Sequence, residues 1–227
     1  MFRNNLIDYI RALAIVLMVI FHFTWDLNFF GHISVAIPDG PFWREFRALI
    51  VTLFLFTMGV SLVYAYCSGI DNKKLLRRMV KLVAAALLIT ATTMITTPKF
   101  WVYFGILHFI ALATIVCVWF VNKPNIALLL GLAILSLYVL TEFPVKWPFI
   151  YFADHLPEYT VDIVTLVPWL AVPFIGIWAA HRPLLQTPAQ QPAPKVVSVL
   201  STNALIIYLI HQPIFFALFH AYDWLLQ

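Results

Sequence analysis

Apolar residues in this chain gather into runs too long for ordinary core elements, separated by short polar stretches. Seven runs can be delimited, at residues 6–30, 48–66, 75–96, 100–121, 125–142, 162–180 and 196–219. About 20 residues rising 1.5 Å each cross the roughly 30 Å hydrocarbon core of a bilayer, so each run is read as a transmembrane helix. The pattern predicts an all-α integral membrane protein: a single bundle of about seven transmembrane helices, forming one domain over residues 1–227.

The first run is unlike the others because it carries Asp8, Arg11, His22 and Asp26. At 100° per residue, Arg11 and His22 differ by only about 20° in azimuth, and the two aspartates flank them on the same face. Ionisable groups within a membrane are costly unless they face protein or water, so a polar stripe of this length marks a functional face.

Composition agrees with the class: 63% of residues are hydrophobic, 11% are charged and the mean hydropathy is +0.93. The formal charge of +4 then has a topological meaning and gives no reason to expect a nucleic-acid partner. Residues 67–74 are polar and lead into Arg77, Arg78 and Lys81, the densest basic cluster. Basic residues collect on the cytoplasmic side, which predicts a cytoplasmic N-terminus and, with an odd span count, a C-terminus outside. Lys123, Arg182 and Lys195 fit that orientation, whereas Arg44 and Arg47 run against it.

Arg3 and Arg11 before the apolar stretch 12–21 resemble the start of a signal peptide, but HFTWDLNFFG offers no small-x-small cleavage site, so retention of the segment is expected. Residues 182–195 read as a Pro- and Gln-rich linker. The loop 143–160 carries Trp147, Phe149, Tyr151 and Phe152 among Lys146, Asp154, His155 and Glu158, a mixture suited to the lipid headgroups or, as the alternative, to a substrate lid. Cys67 and Cys117 are expected to be small core residues, Gly59 and Ser61 to mark close helix packing, and Pro168 and Pro173 to bend the sixth helix.

The spacing also suggests chemistry. His22 and Asp26 lie i, i+4 on one helix, so the carboxylate is expected to accept a hydrogen bond from one imidazole nitrogen and leave the other as a base. Counting 1.5 Å per residue places Arg11 about 16 Å below His22, a gap that a long anionic cofactor could bridge, with its phosphates near Arg11, Arg77, Arg78 and Lys81. The same counting gives His108 and His211 the depth of His22, with the loop residue His32 and Asp162 above them. His108, His211, Asp162 and Trp169 are assigned to the substrate side. No two histidines share a helix at ligand spacing, so no metal is expected. The same stripe would also suit a proton-coupled transporter, with the helix-six prolines marking a broken helix.

The stretch IDYIRALAIVLMVIFH resembles the opening helix of the transmembrane acyltransferases, acyltransferase family 3 included, whose hallmark is an arginine followed about ten residues later by a histidine, as Arg11 and His22 are here. HFTWDLNFFG, FTMGVSL, FGILHFIAL, VPWLAVPFIGI and SVLSTNALIIYLIHQPI are more similar to the bacterial branch related to the heparan-α-glucosaminide N-acetyltransferase catalytic domain. The resemblance implies a multi-pass enzyme of the bacterial inner membrane. It would move an acetyl group from cytoplasmic acetyl-CoA to a sugar amine or hydroxyl of a carbohydrate or glycoconjugate on the outer face, and a homodimer is possible. Arg11 would hold the donor and His22 would be the catalytic histidine. His32 competes with it, because the lysosomal animal relatives place their histidine in the loop after this helix. Ala12 stands where the family commonly has glycine. The resemblance fits a ternary-complex route, an acetyl-histidine route and a non-catalytic relative alike.

Overall fold

A computed structural model describes residues 4–144, 146–157, 159–160, 162–187 and 192–225. Arg3, Glu158 and residues 188–191 of the linker lie outside the described residues. Nine α-helices occur among the described residues: α1 (Asn5–Phe29), α2 (Pro41–Tyr66), α3 (Asn72–Thr96), α4 (Ile106–Cys117), α5 (Pro124–Leu140), α6 (Ala171–Ala179), α7 (Pro183–Gln186), α8 (Lys195–Thr202) and α9 (Ala204–Leu225). Short 3-10 turns at Val118–Phe120 and Phe149–His155 complete them, and a single parallel bridge joins Phe104 to Ile163.

Four helices, α1, α2, α3 and α9, are long and apolar enough to cross a membrane, while α4 with its 3-10 extension and α5 are shorter apolar helices. Three of the expected spans are shortened or divided. The sixth, drawn over 162–180, is helical only at Ala171–Ala179. Pro168 lies in the turn that precedes it, and Pro173 occupies the first helical turn, where a missing N–H costs nothing. The prolines therefore delay the start of the helix and do not bend its middle. The seventh expected span divides at Asn203, whose side-chain amide donates to the Val199 carbonyl and so competes with the backbone ladder. The fourth begins at Ile106, not residue 100, because Gly105 is an extended N-cap.

The chain separates into two compact units, and each is described by itself. Among the described residues one comprises 4–54 with 192–225, and the other 55–187. In the first, α1 packs on α8 and α9. Met18 and Phe21 of α1 form a core with Ile37 and Ile50, to which Trp25, Trp43, Phe46, Phe54 and Tyr208 add partly buried faces. Neighbouring apolar faces gain little from hydrophobicity in lipid, so close packing and buried polar bonds matter more for holding such helices together.

The second unit uses small residues for that purpose. A Cβ on Gly59 would strike the Pro173 carbonyl, and one on Gly176 would lie 2.5 Å from the Phe56 carbonyl. The backbones of α2 and α6 therefore touch where both residues are glycine. Ser61 donates its hydroxyl to Thr57 one turn earlier on α2. Cys117 is buried in this unit, but Cys67 is exposed and is not the core residue expected of it. Phe149 packs on Tyr103 and Phe104, whereas Tyr151 and Phe152 are exposed.

Candidate functional site

His22 sits half-buried on α1, and its ring is anchored by its own helix. Its Nδ1 lies 2.9 Å from the Met18 carbonyl. A carbonyl can only accept, so Nδ1 carries the proton, and in the neutral ring Nε2 is a bare lone pair. No hydrogen-bond partner for Nε2 occurs among the described residues.

His211, on α9, repeats this arrangement. Its Nδ1 donates to the carbonyls of Tyr208 at 2.9 Å and Ile207 at 3.1 Å, and Nε2 is buried without a hydrogen-bond partner among the described residues. The two imidazoles meet edge to face, with ring centroids 4.8 Å apart and planes at 71°. The sequence placed these histidines at one depth, and the fold brings them into contact.

Asp26 does not orient His22 as the i, i+4 spacing suggested, for the two share no hydrogen bond. Its side chain is completely buried, and Oδ1 accepts from Gln212 Nε2 of α9 at 2.6 Å. The partner of His22 is instead a backbone carbonyl, which any residue at position 18 would supply. Gln212 is the residue that sequence reasoning missed. It lies beside His211 but 186 positions from Asp26, and no spacing rule connects them.

Nearer the start of α1, Asp8 is buried, accepts from Ser201 Oγ of α8 at 2.9 Å, and lies 3.8 Å from the Arg11 guanidinium. Arg11 thus faces a carboxylate that any anionic ligand must displace or share. Past the end of α1, His32 Nε2 approaches Asp223 Oδ1 of α9 at 3.5 Å, with its ring stacked on Phe219 and edge-on to Tyr222. His32, Phe219 and Tyr222 border a shallow groove of about 540 Å³ lined also by Phe23, Leu27, Phe215 and Leu218.

The remaining assigned residues belong to the other unit. His108 is the third residue of α4, and its Nδ1 accepts the Gly105 N–H at 3.3 Å, the one half of a capping box that a glycine N-cap allows. Nε2 therefore carries the proton and donates to Thr90 Oγ1 at 3.2 Å, while the Thr90 hydroxyl donates to the Val102 carbonyl at 2.7 Å. Both ring nitrogens are occupied, so a substrate would have to break one of these bonds to use His108. Asp162 also serves α4, since its Oδ2 accepts the Ile106 N–H at 2.9 Å. That oxygen fills the space where a Cβ on Gly105 would go. Trp169 is half-buried in the turn before α6. On α3, Arg77 and Lys81 are exposed and Arg78 is half-buried. No cluster of three or more His, Cys, Asp or Glu side chains able to hold a metal occurs among the described residues.

Four long apolar helices, two of which hold a pair of histidines in ring contact, define a helical membrane protein. The chain belongs to the family of the heparan-alpha-glucosaminide N-acetyltransferase catalytic domain, which matches residues 3–213. Membership implies a transmembrane acetyltransferase. No curated protein and no solved structure matches the chain.

Proposed function

We propose that this chain spans the bacterial inner membrane seven times, N-terminus inside and C-terminus outside. In this reading it transfers acetyl from cytoplasmic acetyl-CoA to a sugar amine or hydroxyl on the outer face, with His22 as the reacting histidine. The observation that carries it is the bond from His22 Nδ1 to the Met18 carbonyl, which leaves Nε2 as a fixed, unencumbered base on the polar face of α1. A general base must offer a lone pair in a set direction, and an imidazole tied at its other nitrogen does so.

In direct transfer, Nε2 takes the proton of the acceptor N–H or O–H as that atom attacks the thioester carbonyl. The C–S bond then breaks, and the departing coenzyme A thiolate recovers the proton from the imidazolium. In the stepwise route, Nε2 itself attacks the carbonyl and the thiolate leaves; the acceptor then attacks the acetyl-imidazolium, the C–N bond breaks to restore the neutral ring, and the acceptor's proton balances the thiolate as free coenzyme A thiol. Arg11 holds a phosphate of the donor in exchange for part of its contact with Asp8. Arg77, Arg78 and Lys81 give the cytoplasmic face of α3 its positive charge. His211 supports the acceptor side.

His32 has its own claim through the 3.5 Å contact with Asp223, which gives it the carboxylate partner that His22 lacks. Asp223 lies beyond the segment that the family matches. The test is transfer of label from radiolabelled acetyl-CoA to a glucosaminide by the full chain, its His22→Ala variant and its His32→Ala variant. Loss with His22→Ala and retention with His32→Ala supports the assignment. The reverse pattern moves the role to His32, and no transfer by the unaltered chain refutes the activity.

A further inference from the structure

The seam between α1 and α9 holds an imbalance that the transfer chemistry above does not use. Asp26 Oδ2, Gln212 Oε1 and His211 Nε2 are all buried, and none has a hydrogen-bond partner among the described residues. With Asp26 as the carboxylate, all three are acceptors. The two oxygens each lie one covalent fork from the single bond that joins Gln212 Nε2 to Asp26 Oδ1. Turning the Gln212 amide over would not relieve the imbalance, because its oxygen would then face the Asp26 carboxylate oxygen. His211 contributes no donor in its neutral form, since its one N–H is spent on backbone carbonyls. His22, whose ring touches that of His211, presents another bare acceptor.

Buried acceptors without donors are expensive, and native proteins keep such groups paired. A set made only of acceptors selects for what can pair with it, namely an O–H or N–H brought by a ligand. We propose that Asp26, Gln212 and His211 form a subsite for a hydrogen-bond-donating group of the acceptor substrate, a hydroxyl or amine other than the one that is acetylated, one helical turn from His22. This rests on the reading of the chain as an acetyltransferase of sugars. Gln212 acts here as a positioning residue. By holding one carboxylate oxygen of Asp26 it fixes where the other points. A site built to pair with a hydroxyl discriminates strongly against an analogue lacking it, because its own polar groups are then stranded.

The experiment is equilibrium binding by calorimetry, using the full chain in lipid nanodiscs. The probes are a methyl glucosaminide and its monodeoxy and N-acetyl analogues, tested on the unaltered chain, Asp26→Asn and Gln212→Met. Asp26→Asn keeps the shape of the side chain but turns one acceptor into a donor. The expected result is that one analogue binds the unaltered chain about tenfold or more weaker than the parent sugar. Asp26→Asn should weaken the parent sugar similarly, and it should not weaken that analogue further. Gln212→Met should lower affinity for the parent sugar while leaving the ranking of the other analogues in place, which a general loss of folding would not do. If a variant fails to fold, the analogue series on the unaltered chain decides alone. Equal binding of every analogue means that the acceptors are satisfied by ordered water only, and it overturns the proposal, as does no binding of the parent sugar. Selective binding without acetyl transfer would leave the subsite standing and refute the transferase reading instead.

Discussion

His22 on α1 and His108 on α4 look alike in the sequence, each a histidine in an apolar helix, and both are half-buried. Their ring nitrogens are used in opposite ways. His22 spends Nδ1 on a carbonyl of its own helix and leaves Nε2 bare, and His211 beside it does the same. His108 accepts from Gly105 and donates to Thr90, which in turn closes on Val102. The first arrangement leaves a base available, and the second secures the start of a helix. A histidine within an apolar helix earns attention from its cost alone, but the accounting of its two nitrogens separates a reacting group from a structural one.

That contrast can be broken most severely at His22. Replacing it with alanine removes the base and is expected to lower acetyl transfer about 10²–10⁴-fold, read from initial rates with radiolabelled donor. At the other histidine the expected losses are of stability. Gly105→Ala would drive a Cβ into Asp162 Oδ2 and disturb both caps of α4. Overpacking of this kind costs about 1–3 kcal/mol, visible as a lowered thermal midpoint in detergent. His108→Ala removes two bonds and is expected to cost about 1–2 kcal/mol, with transfer by the folded fraction within a few-fold of the unaltered chain. A loss of rate as large as that for His22→Ala would end the distinction. The smallest effect is expected for Thr90→Val, about 1 kcal/mol or slightly more, because the His108 Nε2 proton and the Val102 carbonyl would each lose one partner.

How far the sequence reveals these features depends on how local each one is. Helix α1, expected at 6–30, is found at Asn5–Phe29, because a long apolar run signals itself. The start of α2 at Pro41 escapes a hydropathy reading, since PFWREFR mixes charge with aromatics and only later residues are uniformly apolar. The truncation of α6 is half legible: its prolines stand out in the sequence, but whether they bend or delay a helix depends on where the first turn forms. Within the candidate site, the polar face of α1 follows from helical geometry, whereas its bonding does not. An i, i+4 spacing brings His22 and Asp26 close enough to pair, yet a glutamine from α9 takes the carboxylate and a backbone carbonyl takes the imidazole. Asp162 is a similar case. It stands 56 residues from the amide it caps, so its service to α4 is a tertiary fact with no local signature.

The most direct measurement is the initial rate of acetyl transfer by His22→Ala and His108→Ala, compared with the unaltered chain in the same lipid and normalised to folded protein. The expected result is near-complete loss for His22→Ala and a rate within a few-fold of the unaltered chain for His108→Ala. Equal losses, or retention by His22→Ala, would contradict the assignment of His22 as the reacting histidine.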